Sequence, residues 1–361
     1  MPIEVESPEE YGYGHIRNNL SESSIGDRSL SDLGLAIPDL MLLYGEHRGS
    51  PRLRSLIVAG AAGLDAGDVL VTSGAATALF IVSTALLAAT DHLVVVRPNY
   101  ATNLETPRAI GCAVNVIDLA YEDGFRIDFD RLTAAITPRT KLVSVTCPHN
   151  PSGVMLDEDE LRRLVALTAR RNCRLLVDET YRDLSYDARL PLAASLGEHV
   201  ISVSSLSKAY GVPGIRIGWL IAGDPRLQEL FLAAKEQINL TGSVIDEWVA
   251  EQVLGSRERL LAPTLAEMRE RRQLVADWIA AEPLLEWVPP HGGVVCFPRM
   301  RSEPPGGTAA FYKRLLEKHR TYVGPGHWFE MPDRFFRLGY GWPTRTELHD
   351  GLTAISQALR S

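Results

Sequence analysis

Ser204-Ser-Leu-Ser-Lys208-Ala-Tyr-Gly-Val-Pro-Gly-Ile-Arg216-Ile-Gly-Trp219 sets one lysine just after an apolar run, Val200–Val203, among hydroxyls and glycines. The run predicts a short strand, so Lys208 stands at a strand end. Lysine is seldom buried unless it is paired or reactive. Desolvated beside a second cation, its amine becomes a nucleophile able to form a Schiff base with a carbonyl. Arg216, eight residues further on, is such a cation. Ser205, Ser207 and Arg216 are also donor types that hold a phosphate. Taken alone, the stretch leaves a second option, a surface turn with a solvated lysine.

The neighbouring sequence repeats the pattern. Val69–Ser73, His92–Arg97, Val114–Leu119, Lys141–Cys147, Arg174–Val177 and Ile217–Ala222 read as short strands. Leu53–Ala62, Ala75–Ala89, Tyr100–Ile110, Phe129–Ile136 and Asp157–Arg171 read as helices between them, the last opened by an Asp157/Glu160 capping box. Apolar strands without alternation, separated by helices, predict a mainly parallel sheet covered on both faces. Ligands of such sheets bind beyond the carboxyl ends of the strands. Gly74, Tyr100, Asn150, Asp178 and Lys208 all follow strands closely.

Past residue 225 the texture changes to long helical patterns, Leu227–Ile238, Val244–Leu254 and Pro263–Ala281. A β region at Trp287–Pro298, a helix at Thr308–His319, a β region at Phe336–Tyr340 and a final helix at Arg345–Leu359 follow. The expected division is an N-terminal arm and part of a small domain (1–40), a large domain (41–255) and a small α+β domain (256–361).

Composition excludes several classes. The chain has 361 residues, 45% apolar and 23% charged, which argues for a folded protein of about two domains. A net charge of -8 argues against a nucleic-acid or anionic-membrane partner. The longest apolar run, Ala75–Ala89, is too short for a span of about 20 residues. Cys112, Cys147, Cys173 and Cys296 show no CxxC spacing, and the acidic opening has no apolar signal run. Reduced thiols and a cytoplasmic location are expected. The nine histidines form no HExxH-like pattern, so no metal site is expected.

Three further signals stand with Lys208. Asp178 ends a strand, with Tyr181 three residues later; Asn150 sits in the turn Pro148-His-Asn-Pro-Ser-Gly153; Arg337 lies in an apolar strand near the C-terminus. Each alone has a structural explanation, as a helix cap, a proline turn or a paired core arginine. The order is distinctive: Asn150, Asp178 after 28 residues, Tyr181, Ser-x-x-Lys208, Arg216, then Arg337. It strongly resembles the fold-type I pyridoxal-phosphate enzymes of the class I/II aminotransferase family, from about Asn19 to Arg360. PHNPSG, LSKAYGVPGIRIGW, PHGGVVCFPR and VGPGHWF look especially like the capreomycidine synthase-like, arginine-handling enzymes of antibiotic biosynthesis.

The resemblance implies a seven-stranded, mixed but mostly parallel sheet in a large domain, with a smaller α+β domain. It implies pyridoxal 5'-phosphate bound through Lys208, which then moves the substrate's α-proton. Asp178 would pair with the ring nitrogen, Tyr181 and Asn150 would bond the ring oxygen, and Tyr100 would stack on the ring. The turn Gly74-Ala75-Ala76, Ser205, Ser207 and Arg216 would hold the phosphate. Arg337 and Asn150 would take the substrate carboxylate. Tyr44 matches the tyrosine that reaches the partner subunit's phosphate, which implies a homodimer with shared active sites.

The expected reaction is amino transfer between an L-amino acid, arginine-like substrates among the candidates, and a 2-oxo acid. The alternative is a cyclase, lyase or oxidase acting on arginine or a derivative. No arginine for a distal carboxylate can be assigned, against an aspartate-specific enzyme. Glu22, in Arg17-Asn-Asn-Leu-Ser-Glu-Ser-Ser24, is a candidate to meet a cationic side chain; the other reading is a solvated loop glutamate.

Overall fold

The computed structural model of the protein describes residues 6–12 and 14–361. One sheet organises it, built from β1 (Val69–Thr72), β2 (His92–Arg97), β3 (Ala113–Asp118), β4 (Thr140–Thr146), β5 (Arg174–Asp178), β6 (Val200–Ser205) and β7 (Gly218–Ala222). The order across it is β1-β7-β6-β5-β4-β2-β3, seven strands. Only β7 runs against its two neighbours; every other pairing is parallel.

The main helices in chain order are α1 (Pro51–Ile57), α2 (Ala75–Leu86), α3 (Thr102–Ile110), α4 (Phe129–Ala135), α5 (Glu158–Arg170), α6 (Pro225–Glu236), α7 (Val244–Gly255), α8 (Arg257–Ala281), α9 (Gly307–Glu317) and α10 (Arg345–Ala358). Strand side chains alternate between the two faces. Leu93, Val95, Leu142 and Leu176 join Leu79, Ile81 and Val82 of α2 in one core. Val94, Val96, Val143, Leu175 and Val177 join Leu161, Leu164 and Leu167 of α5 in another. With both faces covered, each strand has to be apolar at successive positions, which is why the runs lack alternation.

Local signals fix several boundaries. Asp157 Oδ1 accepts the Glu160 amide at 2.8 Å, and Glu160 Oε2 accepts the Asp157 amide at 2.9 Å, closing the capping box of α5. α1 starts earlier than the apolar pattern suggests, because Ser50 caps it and Pro51 stands in its first turn. It also stops short of Ala62, with Gly60 and Gly63 at positive φ. α8 begins at Arg257 and runs through Pro263. Burial of Leu260, Leu261 and Met268 offsets the roughly 3 kcal/mol that an interior proline costs.

The expected β region at Trp287–Pro298 is mostly irregular. Its strand β8 (Val295–Cys296) pairs with β10 (Phe336–Gly339), which pairs in turn with β9 (Gly324–Pro325). The chain ends meet: Asn18–Asn19 lies parallel to Thr321–Tyr322. No helix among the described residues is long and apolar enough to cross a membrane.

Candidate active site

The carboxyl ends of β1, β4, β5 and β6 and the start of β7 converge on Lys208. Gly218 at the start of β7 has no room for a Cβ, which would overlap the backbone of Gly74 and Ala75. The close approach brings Arg216 to the first turn of α2. A Cβ on Gly74, itself at φ 85°, would overlap the Arg216 guanidinium. Gly74 caps α2 with no side-chain bond, so the amides of Ala75 and Ala76 stay open to an anion. Arg216 has φ 46°, a left-handed conformation that costs a non-glycine residue about 1 kcal/mol or more. Its Nη1 donates to the Pro213 carbonyl at 2.8 Å, which aims the fork. Open amides, a guanidinium and a glycine-shaped gap are a fitting cradle for a phosphate. Ser205 and Ser207 stand beside it, the Ser207 amide donating to Ser205 Oγ at 3.4 Å.

Asp178 ends β5 and is 5% exposed. One carboxyl oxygen accepts the Thr180 amide at 3.1 Å and its hydroxyl at 2.6 Å. The Asn103 amide also bonds the carboxyl. Asn103 is held in turn by Asn99 Oδ1 at 3.1 Å, which also accepts the Thr146 hydroxyl at 3.0 Å. Burial raises the Asp178 pKa against these donors and the Lys208 charge. A buried carboxylate in this position suits a protonated ring nitrogen as its counter-charge. Tyr100, 40% exposed, projects from the turn that Asn99 braces.

Lys208 is half-buried, and its Nζ hydrogen-bonds to no other described residue. Desolvation first, then the charges of Arg337 and Arg216, lower its pKa, while Glu22 opposes them. The amine is thereby biased towards its neutral, nucleophilic form.

Arg337 on β10 donates Nη1 to Asn150 Oδ1 at 3.3 Å and Nη2 to the Ser21 carbonyl at 2.7 Å. Its guanidinium carbon lies 5.1 Å from the Phe329 ring centre and 5.8 Å from that of Trp328. Aromatic rings at these distances attract the cation, and its fork can take a carboxylate. Tyr181 is buried, and burial pushes its phenol up to about 12, so it stays a donor. That hydroxyl donates to the Ser23 carbonyl at 2.9 Å.

The N-terminal segment is therefore part of the site, and its backbone does the work. Leu20 O accepts the Gly339 amide at 2.7 Å, Ser21 O takes Arg337, Ser23 O takes Tyr181, and the Ile25 amide donates to the Lys208 carbonyl at 3.2 Å. Gly339 is obligatory here, since a Cβ would overlap the Glu22 carbonyl. Glu22, half-buried between these anchors, has its pKa raised by desolvation and lowered by Lys208 and then Arg337. Its carboxyl thus feels the charge of Lys208.

Other residues fall outside the reactive group. His149 is buried in its turn, with Nδ1 2.7 Å from Ser152 Oγ and Nε2 2.8 Å from the Pro98 carbonyl, and burial lowers it to about 4. It is a neutral brace. Cys296 is buried, and His291 is exposed on the adjoining segment. Tyr44 is 79% exposed in an exposed run, Met41-Leu42-Leu43-Tyr44, and hydrogen-bonds to no described residue. Asn239, which no motif signals, donates Nδ2 to Ser73 Oγ at 3.1 Å beside the phosphate cradle. Asn99 and Asn103 are the other supports that sequence reasoning passes over, although Asn99 adjoins Tyr100.

A seven-stranded sheet of this order, with a strand-end lysine, a buried aspartate and a glycine-arginine cradle, defines a fold-type I pyridoxal-phosphate enzyme. The chain belongs to the aminotransferase class I and II family, whose model matches residues 35–355, and its cofactor is pyridoxal 5'-phosphate. It is 34% identical to a capreomycidine synthase of Streptomyces vinaceus, over 97% of this chain and 87% of that protein. It is 33% identical to an arginine–pyruvate transaminase of Pseudomonas aeruginosa, over 79% of this chain and 74% of that one. Among solved structures, a PLP-dependent aminotransferase from Streptococcus suis superposes with TM-score 0.91 at 26% identity, covering 98% and 96% of the two chains. The PLP-dependent cyclase OrfR superposes with TM-score 0.88 at 32% identity, covering 99% and 98%.

Proposed function

We propose that this enzyme acts on the α-amino group of an amino acid with a cationic, arginine-like side chain, passing it to a 2-oxo acid. The observation that carries the substrate class is the mounting of Glu22. Both flanking carbonyls are tied to site residues, Ser21 to Arg337 and Ser23 to Tyr181. Desolvation leaves the Glu22 pKa raised despite the charges of Lys208 and Arg337, so a further cation in the cleft would favour its charged form. A guanidinium supplies that cation. The arginine-handling relatives support the same class.

When bound, pyridoxal phosphate supplies the electron sink that makes the substrate's α-proton removable. The chain's residues do the rest. Arg337 and Asn150 hold the α-carboxylate and so orient the Cα–H bond. The Lys208 amine takes the proton and later returns it. Asp178 balances positive charge at the far end of the ring. Tyr44, from the exposed run, completes the phosphate site of a second subunit, so the working form is a homodimer with shared sites.

A second reading, cyclisation or elimination on an arginine derivative, draws on two relatives that span almost the whole chain, the capreomycidine synthase and the cyclase OrfR. Both reactions share proton removal by Lys208 and differ in where the proton goes next. Adding L-arginine to the cofactor-loaded enzyme without a 2-oxo acid separates them. Amino transfer predicts stoichiometric conversion of the cofactor to its aminated form, reversed by pyruvate. Consumption of the amino acid with an unchanged cofactor spectrum favours the second reading.

A further inference from the structure

Lys235, on α6, is 1% exposed and takes no part in the site described above. Its Nζ donates to the His47 carbonyl. The next residue, Glu236, meets the His47 ring, Oε1 lying 2.5 Å from Nδ1. Two successive residues of one helix therefore hold both the backbone and the side chain of His47. From α7, Glu247 Oε2 accepts the Ser50 amide at 2.7 Å, and its charge faces Lys235. From α1, Arg54 Nε donates to the Gly49 carbonyl at 3.0 Å and Nη2 to Glu46 at 3.0 Å. Gly49, at φ 94°, lies against Val71 with no room for a Cβ.

Residues 46–50 are thus gripped from three helices and β1. The Glu46 and His47 side chains face solvent but are tied by these bonds, whereas Met41-Leu42-Leu43-Tyr44, 59–79% exposed, have no such ties among the described residues. An exposed, largely apolar tip joined through Gly45 to a fixed root is the form of an arm. A buried ammonium is a costly way merely to fill space. It does supply a charged donor that sets one carbonyl firmly in place.

We infer that Lys235 is a positioning residue for the partner subunit's cofactor: by fixing His47 on α6 it sets the direction in which Tyr44 leaves the subunit. This rests on the reading of Tyr44 as a phosphate contact across a dimer. A small shift at the root displaces a hydroxyl two or three residues out, and site geometry tolerates little displacement.

The test is a double-mutant cycle on cofactor affinity, read from the fluorescence of the protein titrated with pyridoxal phosphate, with sedimentation confirming the dimer. Tyr44→Phe and Lys235→Met should each weaken binding about 10-fold, and the double variant should be no weaker than Tyr44→Phe within about 2-fold. Should Lys235→Met weaken binding by the same factor in both backgrounds, or not at all, Lys235 does not act through Tyr44 and the inference is overturned, while the dimer reading stands. Wild-type affinity in Tyr44→Phe overturns that reading and the inference with it. If Lys235→Met fails to fold, Glu236→Gln releases the His47 ring at the surface, and the same cycle should give a coupled loss of about 3-fold. An additive or absent effect there equally overturns the inference.

Discussion

Lys208→Ala is expected to lower turnover by at least about 10⁴-fold and to remove the visible absorption band of the lysine-bound cofactor. Two functions are lost together. In the proposed mechanism the amine is the covalent attachment, prepared by desolvation and by the charges of Arg337 and Arg216. It is also the proton carrier we propose for the substrate's α-carbon, since Tyr181 is committed to the Ser23 carbonyl and His149 is locked in its turn. The cradle at Gly74 and Arg216 is untouched, so the variant should still bind the cofactor non-covalently. A variant that keeps both its absorption band and its turnover would remove Lys208 from the mechanism.

Asp178→Asn separates catalysis from stability. Turnover should fall about 10²–10³-fold, because a neutral amide cannot balance a protonated ring nitrogen. Stability behaves differently. Burial raises the carboxyl's pKa in the fold, so its charged form is penalised there. That cost sets in as pH rises above the unfolded value and is fully present once pH exceeds the folded one. The cofactor-free Asp178→Asn protein is therefore expected to melt at pH 7 no lower than the wild type. Calorimetry of the cofactor-free proteins, beside steady-state rates of the loaded ones, checks both halves. A large drop in melting temperature would make Asp178 a structural residue first.

The sheet was legible because its strands are buried on both faces, leaving continuous apolar runs between capped helices. Asp157 with Glu160 is the clearest case, a pair whose spacing alone fixes the start of a helix. The candidate cluster was legible for a related reason: Lys208, Asp178 and Asn150 follow strands, and strand ends of such a sheet share one edge. The N-terminal segment was not. It meets Arg337, Tyr181 and Lys208 through backbone atoms of Ser21, Ser23 and Ile25, which any residue type would supply. Its sequence imprints are remote glycines, among them Gly339, which leaves room for the Glu22 carbonyl, and Gly341 and Gly211, which do so for the carbonyls of Ser24 and Gly26. Lys235 falls within the helical pattern Leu227–Ile238, and nothing in its neighbourhood reveals a buried carbonyl for it to hold.

The central claim is that Glu22 selects a cationic side chain for proton removal by Lys208. Exchange of the α-proton of L-arginine and of its neutral isostere L-citrulline in deuterated buffer, followed by proton NMR with the loaded wild type and Glu22→Gln, tests it without requiring either final product. The account predicts that the wild type exchanges arginine at least about 10-fold faster than citrulline, and that Glu22→Gln loses most of that advantage while exchanging citrulline about as before. Equal rates for both amino acids in the wild type, or an arginine advantage that survives in Glu22→Gln, would contradict it.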